Sequence, residues 1–216
     1  MSTLAYHLEE LEIARTVGHP NHVLPNFPLT IDSVLDIGCG AGQTLVACNF
    51  TDDTFVCGLD QDTEALSLGR QLTRGIHFLC GQGERLPFEN ASFAGVFSRV
   101  ALPYMHIPTA LREMARITKP GGHIWLLLHP FSMTFQSVGS AFLSGNPKRI
   151  AYQCYILANS LLFHLTGQMI RYPLARKRCE SFQTATGITR ALQGLGFENI
   201  KVEKGRFFVV TAVKAR

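Results

Sequence analysis

Short apolar runs alternate with stretches of helical spacing along most of this chain, and the alternation predicts a parallel sheet covered on both faces by helices. Residues 4–16 place Leu4, His7, Leu8, Leu11 and Ala14 at helical spacing with acids opposite, an amphipathic helix packed over the domain. Three prolines in 19–28 mark a loop. Val34, Leu35 and Ile37 then form an apolar run, as a buried parallel strand does. Helix 43–50, strand 55–59, helix 62–74 with Asp62 as N-cap, and strand 76–80 follow. Strand 93–98 comes next, and then helix 108–118, with Leu111, Met114, Ala115 and Thr118 on one face. Lys119-Pro-Gly-Gly122 stops that helix before strand 123–128. Residues 130–182 break the rhythm and read as a helical insertion. A last helix over 184–195 precedes strands 200–203 and 206–213, a hairpin closed at Lys204-Gly205.

Composition adds a compartment and a charge asymmetry. With 216 residues, 46% hydrophobic and 17% charged, the chain is long enough for one well-packed domain and too apolar for disorder. Cys39, Cys48, Cys57, Cys80, Cys154 and Cys179 form no C-x-x-C pair, which predicts reduced thiols and no metal site. The first residues lack the basic start and apolar core of a signal peptide, so a cytoplasmic protein is expected. The net charge of +4 is concentrated: Lys148, Arg149, Arg171, Arg176, Lys177 and Arg178 face a single acid, Glu180, within 130–180.

The candidate chemistry begins at Ser33-Val-Leu-Asp-Ile-Gly-Cys-Gly-Ala-Gly-Gln-Thr44. A strand, a turn with Gly38, Gly40 and Gly42, and a helix make the first half of a nucleotide-binding βα unit. Glycine lets the chain turn sharply and lets a ligand lie on bare backbone. A dinucleotide fingerprint needs G-x-G-x-x-G, and here the third glycine comes one residue early, which argues against a nicotinamide dehydrogenase. Asp60, at the end of the second strand, is placed to accept hydrogen bonds from ribose hydroxyls.

The Asp36-x-Gly38-x-Gly40-x-Gly42 pattern resembles motif I of the class I S-adenosylmethionine-dependent methyltransferases, and the chain is similar to their small-molecule, type 11-like branch. Gly81-Gln-Gly-Glu-Arg-Leu-Pro-Phe88 resembles a further motif of that family, with Gln82 where the family has an acid that receives the adenine amino group. Phe93-Ala-Gly-Val-Phe-Ser98 and the residues after it resemble the stretch that contacts the methionine part, with Ala94 where the family has Asp. The run from Ala110 to Gly122 resembles the helix and turn before the fifth strand. The resemblance implies a Rossmann-like sheet of seven strands in the order 3-2-1-4-5-7-6, strand 7 antiparallel, with a helical insertion after strand 5. It implies one methyltransferase domain with an N-terminal helix and lid (1–30), a cofactor-binding core (31–129), a substrate insertion (130–182) and a final helix and hairpin (183–216). The implied cofactor is S-adenosyl-L-methionine, leaving as S-adenosyl-L-homocysteine, with no metal. The residues expected to hold it are Asp36, Gly38, Cys39, Gly40, Gly42, Asp60, Gln61, Gln82, Gly83, Glu84, Ser98 and Arg99.

Methyl transfer is an in-line displacement that depends on positioning, and it needs a base only when the acceptor arrives protonated. His129, His106 and Tyr104 lie at strand ends, where ligands of open α/β sheets bind, and are the candidate catalytic groups. The insertion is the expected acceptor lid, with Tyr152, Tyr155 and Arg171 as substrate residues and Arg176–Arg178 as further cations for an acid head group. A small, amphiphilic or anionic organic acceptor fits that charge. Alternatives are an RNA methyltransferase and a non-catalytic cofactor-binding regulator. The few cations and mild pI of 8.8 speak against nucleic acid. The apolar centre over 150–165 falls short of a membrane span and offers a homodimer face as the alternative to a ligand wall.

Overall fold

The computed structural model describes residues 3–129, 139–141, 143–174 and 179–216, without the side chains of Thr3 and Leu4. Arg176, Lys177 and Arg178 lie outside the described residues. The strands are β1 (Ser33–Ile37), β2 (Phe55–Asp60), β3 (Ile76–Cys80), β4 (Phe93–Arg99), β5 (Thr118–Leu128), β6 (Phe197–Lys204) and β7 (Phe208–Lys214). They form one sheet in the order β3-β2-β1-β4-β5-β7-β6, parallel from β3 to β5. β7 is antiparallel to both of its neighbours. This is the topology that the motif resemblance implies.

β1 lies at the centre of the parallel part and all five of its residues are buried. Its side chains alternate between faces. Leu35 and Ile37 join a core with α4 (Ile107–Ile117), α5 (Pro147–Thr166) and α6 (Ala185–Gly194). Val34 joins a second core with α2 (Gln43–Cys48) and α3 (Thr63–Leu72). The helix starts follow the sequence. Asp62 accepts from the N–H groups of Glu64 and Ala65, Asn146 from those of Lys148 and Arg149, and Thr184 from that of Gly187. Each cap satisfies donors that the first helical turn leaves unpaired.

Three details differ from the sequence pattern. Strand β5 begins at Thr118, opposite Phe93, and resumes at His123, opposite Gly95, so the Lys-Pro-Gly-Gly turn is looped out inside the strand. Strand β6 begins at Phe197, earlier than the pattern predicts, because that buried side chain pairs across to Lys214. Helix α1 (Thr3–Arg15) leaves Leu8 exposed and buries His7, Leu11 and Ala14 against α2 and α3. Its polar residue goes inward because Gln43 Nε2 donates to His7 Nδ1 at 2.7 Å, which satisfies both buried groups.

Candidate cofactor-binding site

The site is built where β1, β2 and β4 end. Past Ile37, the N–H groups of Gly38 and Cys39 both donate to the carbonyl of Leu59, at 2.8 and 3.1 Å, and tie the glycine turn to the tip of β2. One residue on, Asp60 Oδ2 accepts from the Gly40 N–H at 2.8 Å and Oδ1 accepts from the Asp62 N–H at 2.9 Å. A single carboxylate thus joins two turns, and each of its oxygens keeps a free lone pair.

Gly38 has φ +80°, and a Cβ there would lie 2.2 Å from the Cβ of Ala101. Gly38→Ala is therefore expected to lose about 1–3 kcal/mol of stability through overpacking. Urea unfolding checks this, and the Gly38→Ala/Ala101→Gly double variant should regain part of the loss. A single variant as stable as the parent would show that the turn has room to spare.

The cavity beside this turn has a volume of about 630 Å³. Its wall includes the predicted Gly38, Asp60, Gln61, Gln82, Gly83 and Glu84, together with Tyr104 and Arg171. Glu84 is held by the His106 N–H, which donates to its Oε1 at 3.0 Å. Gln82 and Arg85 close a tight turn through the Arg85 N–H and the Gln82 carbonyl. Leu59, Gly81, Ala101 and Met105 complete the lining and were not among the residues expected to hold the cofactor. Three of them are apolar side chains, and their signal was only their place beside the motif residues. Gly83 makes room for Met105, whose Sδ would be 2.5 Å from a Cβ at that position.

The other residues expected at the cofactor lie behind this wall. Asp36 is 1% exposed, and its Oδ1 has no hydrogen-bond partner among the described residues. Burial pushes its carboxyl well above the usual carboxylate range, and Arg99 only partly offsets this. Arg99 itself pairs with Glu10 at 2.8 Å and ties α1 to the sheet. Cys39 is buried, with its thiol pKa raised by burial. Ser98 Oγ donates to the Ile37 carbonyl at 2.8 Å. A Cβ at Gly40, where φ is +55°, would meet the His7 ring at 2.9 Å, so what lies over Gly40 is α1. Gly42 caps α2 and packs against Phe78.

Of the three candidate catalytic groups, His129 Nε2 and the Tyr104 hydroxyl lie 3.1 Å apart. Burial lowers the His129 pKa against a smaller opposing pull from Glu180, and burial raises that of Tyr104. His106 uses both ring nitrogens inside the fold, with Thr109 Oγ1 at 2.8 Å and the Met169 carbonyl at 3.2 Å. Tyr152 and Tyr155 are not on the cavity wall. Their rings cluster with that of Tyr172 next to Arg171. Tyr152 donates to Glu180 at 2.6 Å and Tyr155 to the Ile170 carbonyl at 2.8 Å. Burial pushes the Tyr155 phenol up to about 12.

The family described as "Methyltransferase domain" matches residues 35–126, from the middle of β1 to β5 and across every element that builds the cavity floor. Over that span, less than half of the chain, the sequence matches a methyltransferase domain. A malonyl-[acyl-carrier protein] O-methyltransferase of Erwinia pyrifoliae is 37% identical over 92 residues, which cover 42% of this chain and 35% of that protein. The chain thus spans about a third of that relative's length. A demethylmenaquinone methyltransferase of Bacillus cereus is 27% identical over 191 residues, covering 81% of this chain and 73% of that one. A solved S-adenosylmethionine-dependent methyltransferase from Mesorhizobium loti shares the fold with a TM-score of 0.59 at 18% identity, over 87% of this chain and 94% of its own.

Proposed function

We propose that this chain transfers a methyl group from S-adenosylmethionine to a small organic acceptor, amphiphilic or anionic, by in-line displacement. The observation that carries the reading is the convergence of Asp60, Gln82 and Glu84 on one cavity floored by a glycine turn too tight for a side chain. The cofactor suits these residues. Asp60 has lone pairs for ribose hydroxyls, and the Gln82 amide can accept from and donate to adenine. When bound, the cofactor supplies an electrophilic sulfonium methyl. The chain's part is to hold both reactants in line and to keep water out.

On the acceptor side, Arg171 is the one cation among the described lining residues, and it comes from the insertion. It suits a carboxylate or phosphate group. The relatives whose names specify malonyl-[acyl-carrier protein] and demethylmenaquinone support an acceptor other than nucleic acid. His129 is neutral at pH 7 because its pKa is lowered, and with Tyr104 it can receive a proton from an acceptor hydroxyl or ammonium.

Calorimetry with S-adenosylmethionine and with NAD tests the first step: binding of NAD alone would overturn the reading. Mass spectrometry of extracts incubated with labelled cofactor then finds the acceptor. With a turnover assay in hand, Arg171→Gln should raise the acceptor KM about tenfold with cofactor affinity unchanged. Equal loss of both affinities would take Arg171 away from the acceptor.

A further inference from the structure

Helix α5 carries apolar residues on its outer face as well as on its buried one. Its buried face carries Tyr155, Ile156, Asn159, Ser160 and Phe163. The polar members of that face are committed to the strap that follows the helix. Asn159 Oδ1 accepts from the Ile170 N–H, Asn159 Nδ2 donates to the Glu180 carbonyl, and Ser160 Oγ accepts from the Phe182 N–H. The outward face carries Leu157, Leu161 and Leu165, which are 37%, 58% and 62% exposed and fall one turn apart. Ala151, Cys154 and Ala158 are exposed as well. Leu143, before α5, and Leu174, after it, are also exposed.

The charged side chains of α5 itself are all basic. Lys148 and Arg149 stand at the helix N-terminus, and Arg190 donates to the carbonyls of His164 and Leu165 at its C-terminus, at 2.8 and 3.2 Å. No Asp or Glu occurs between Glu113 and Glu180. A second copy laid along the stripe, parallel or antiparallel, would bring cationic ends against cationic ends. The described helices contain no candidate membrane span. A leucine face with cationic ends suits a flat, negatively charged, greasy surface.

We propose that the outer face of α5 docks on the surface of an anionic lipid bilayer, with the helix lying in the interface and Leu157, Leu161 and Leu165 among the acyl chains. The docking is independent of the methyl-transfer reading. Lys148 and Arg149 pair with lipid phosphates, and the polar inner face stays on the protein. Only the helix, and not the sheet, enters the headgroup layer.

The test is sedimentation of the full chain with vesicles of phosphatidylcholine alone and with vesicles containing phosphatidylglycerol. Binding to the phosphatidylglycerol vesicles is expected, falling with salt and much weaker on phosphatidylcholine alone. Leu157→Ser/Leu161→Ser/Leu165→Ser should lose about tenfold per leucine, and Lys148→Gln/Arg149→Gln about fivefold per cation. Because the substituted side chains are exposed, the unfolding midpoint and cofactor affinity should stay unchanged. If the serine variant does not fold, the glutamine variant decides alone. The proposal is overturned if the parent chain ignores both vesicles, or if neither variant weakens binding. It is also overturned if light scattering shows a dimer that the serine variant splits while no vesicle is bound.

Discussion

Asp60→Ala is expected to weaken S-adenosylmethionine binding by about 2–4 kcal/mol, or thirty- to a thousandfold. Two losses combine. The ribose hydroxyls lose a charged acceptor, and the Gly40 and Asp62 N–H groups lose the carboxylate that joins their turns. Asp60→Asn separates them, because its one carbonyl oxygen can hold a single turn while the charge is gone. Titration calorimetry should rank the affinities as parent, then Asn, then Ala. Both variants should unfold cooperatively, since Asp60 lies at the edge of the core. A folded Asp60→Ala protein with the parent's affinity would remove Asp60 from the cofactor site.

His129→Gln is expected to lower kcat/KM about a hundredfold for an acceptor that must give up a proton, without changing cofactor affinity. The parent should lose activity as pH falls through a value under the ordinary 6.5, because protonation removes the base and burial has lowered its pKa. The same shift acts on stability. Below pH 6.5 the unfolded chain takes up a proton that the folded chain resists, so stability contributed at neutral pH is lost as the pH drops. The glutamine variant should lose both slopes. An unchanged acid limb in His129→Gln would assign that limb to another group and end the case for His129 as the base.

About half of the cavity wall was legible in the sequence. Gly38, Asp60, Gln82, Gly83 and Glu84 sit in local motifs, each a strand end followed by a tight turn. A parallel sheet brings consecutive strand ends to one edge. The lining residues Ala101 and Met105 follow the same logic, but an alanine and a methionine carry no chemistry that a pattern can flag. The roles inside the family motif were less visible. Gly40 and Gly42 look alike along the chain, yet one is covered by His7 and the other by Phe78, contacts made by residues remote in sequence.

From the order of apolar runs and turns alone came the seven strands and the cap Asp62, because each depends on neighbours within one or two turns of chain. What faces what was decided only by the fold. His7 turned inward because Gln43 was there to meet it, and His106 was used up between Thr109 and Met169. Tyr152 and Tyr155 went to the strap while Arg171 alone of that group reached the cavity. The helix over 147–166 has apolar residues on nearly every side, so its periodicity could not say which side is buried. Partners for Asn159 and Ser160 in the strap drew the polar face inward, since a buried amide or hydroxyl needs a hydrogen bond, and left the leucines to the outside.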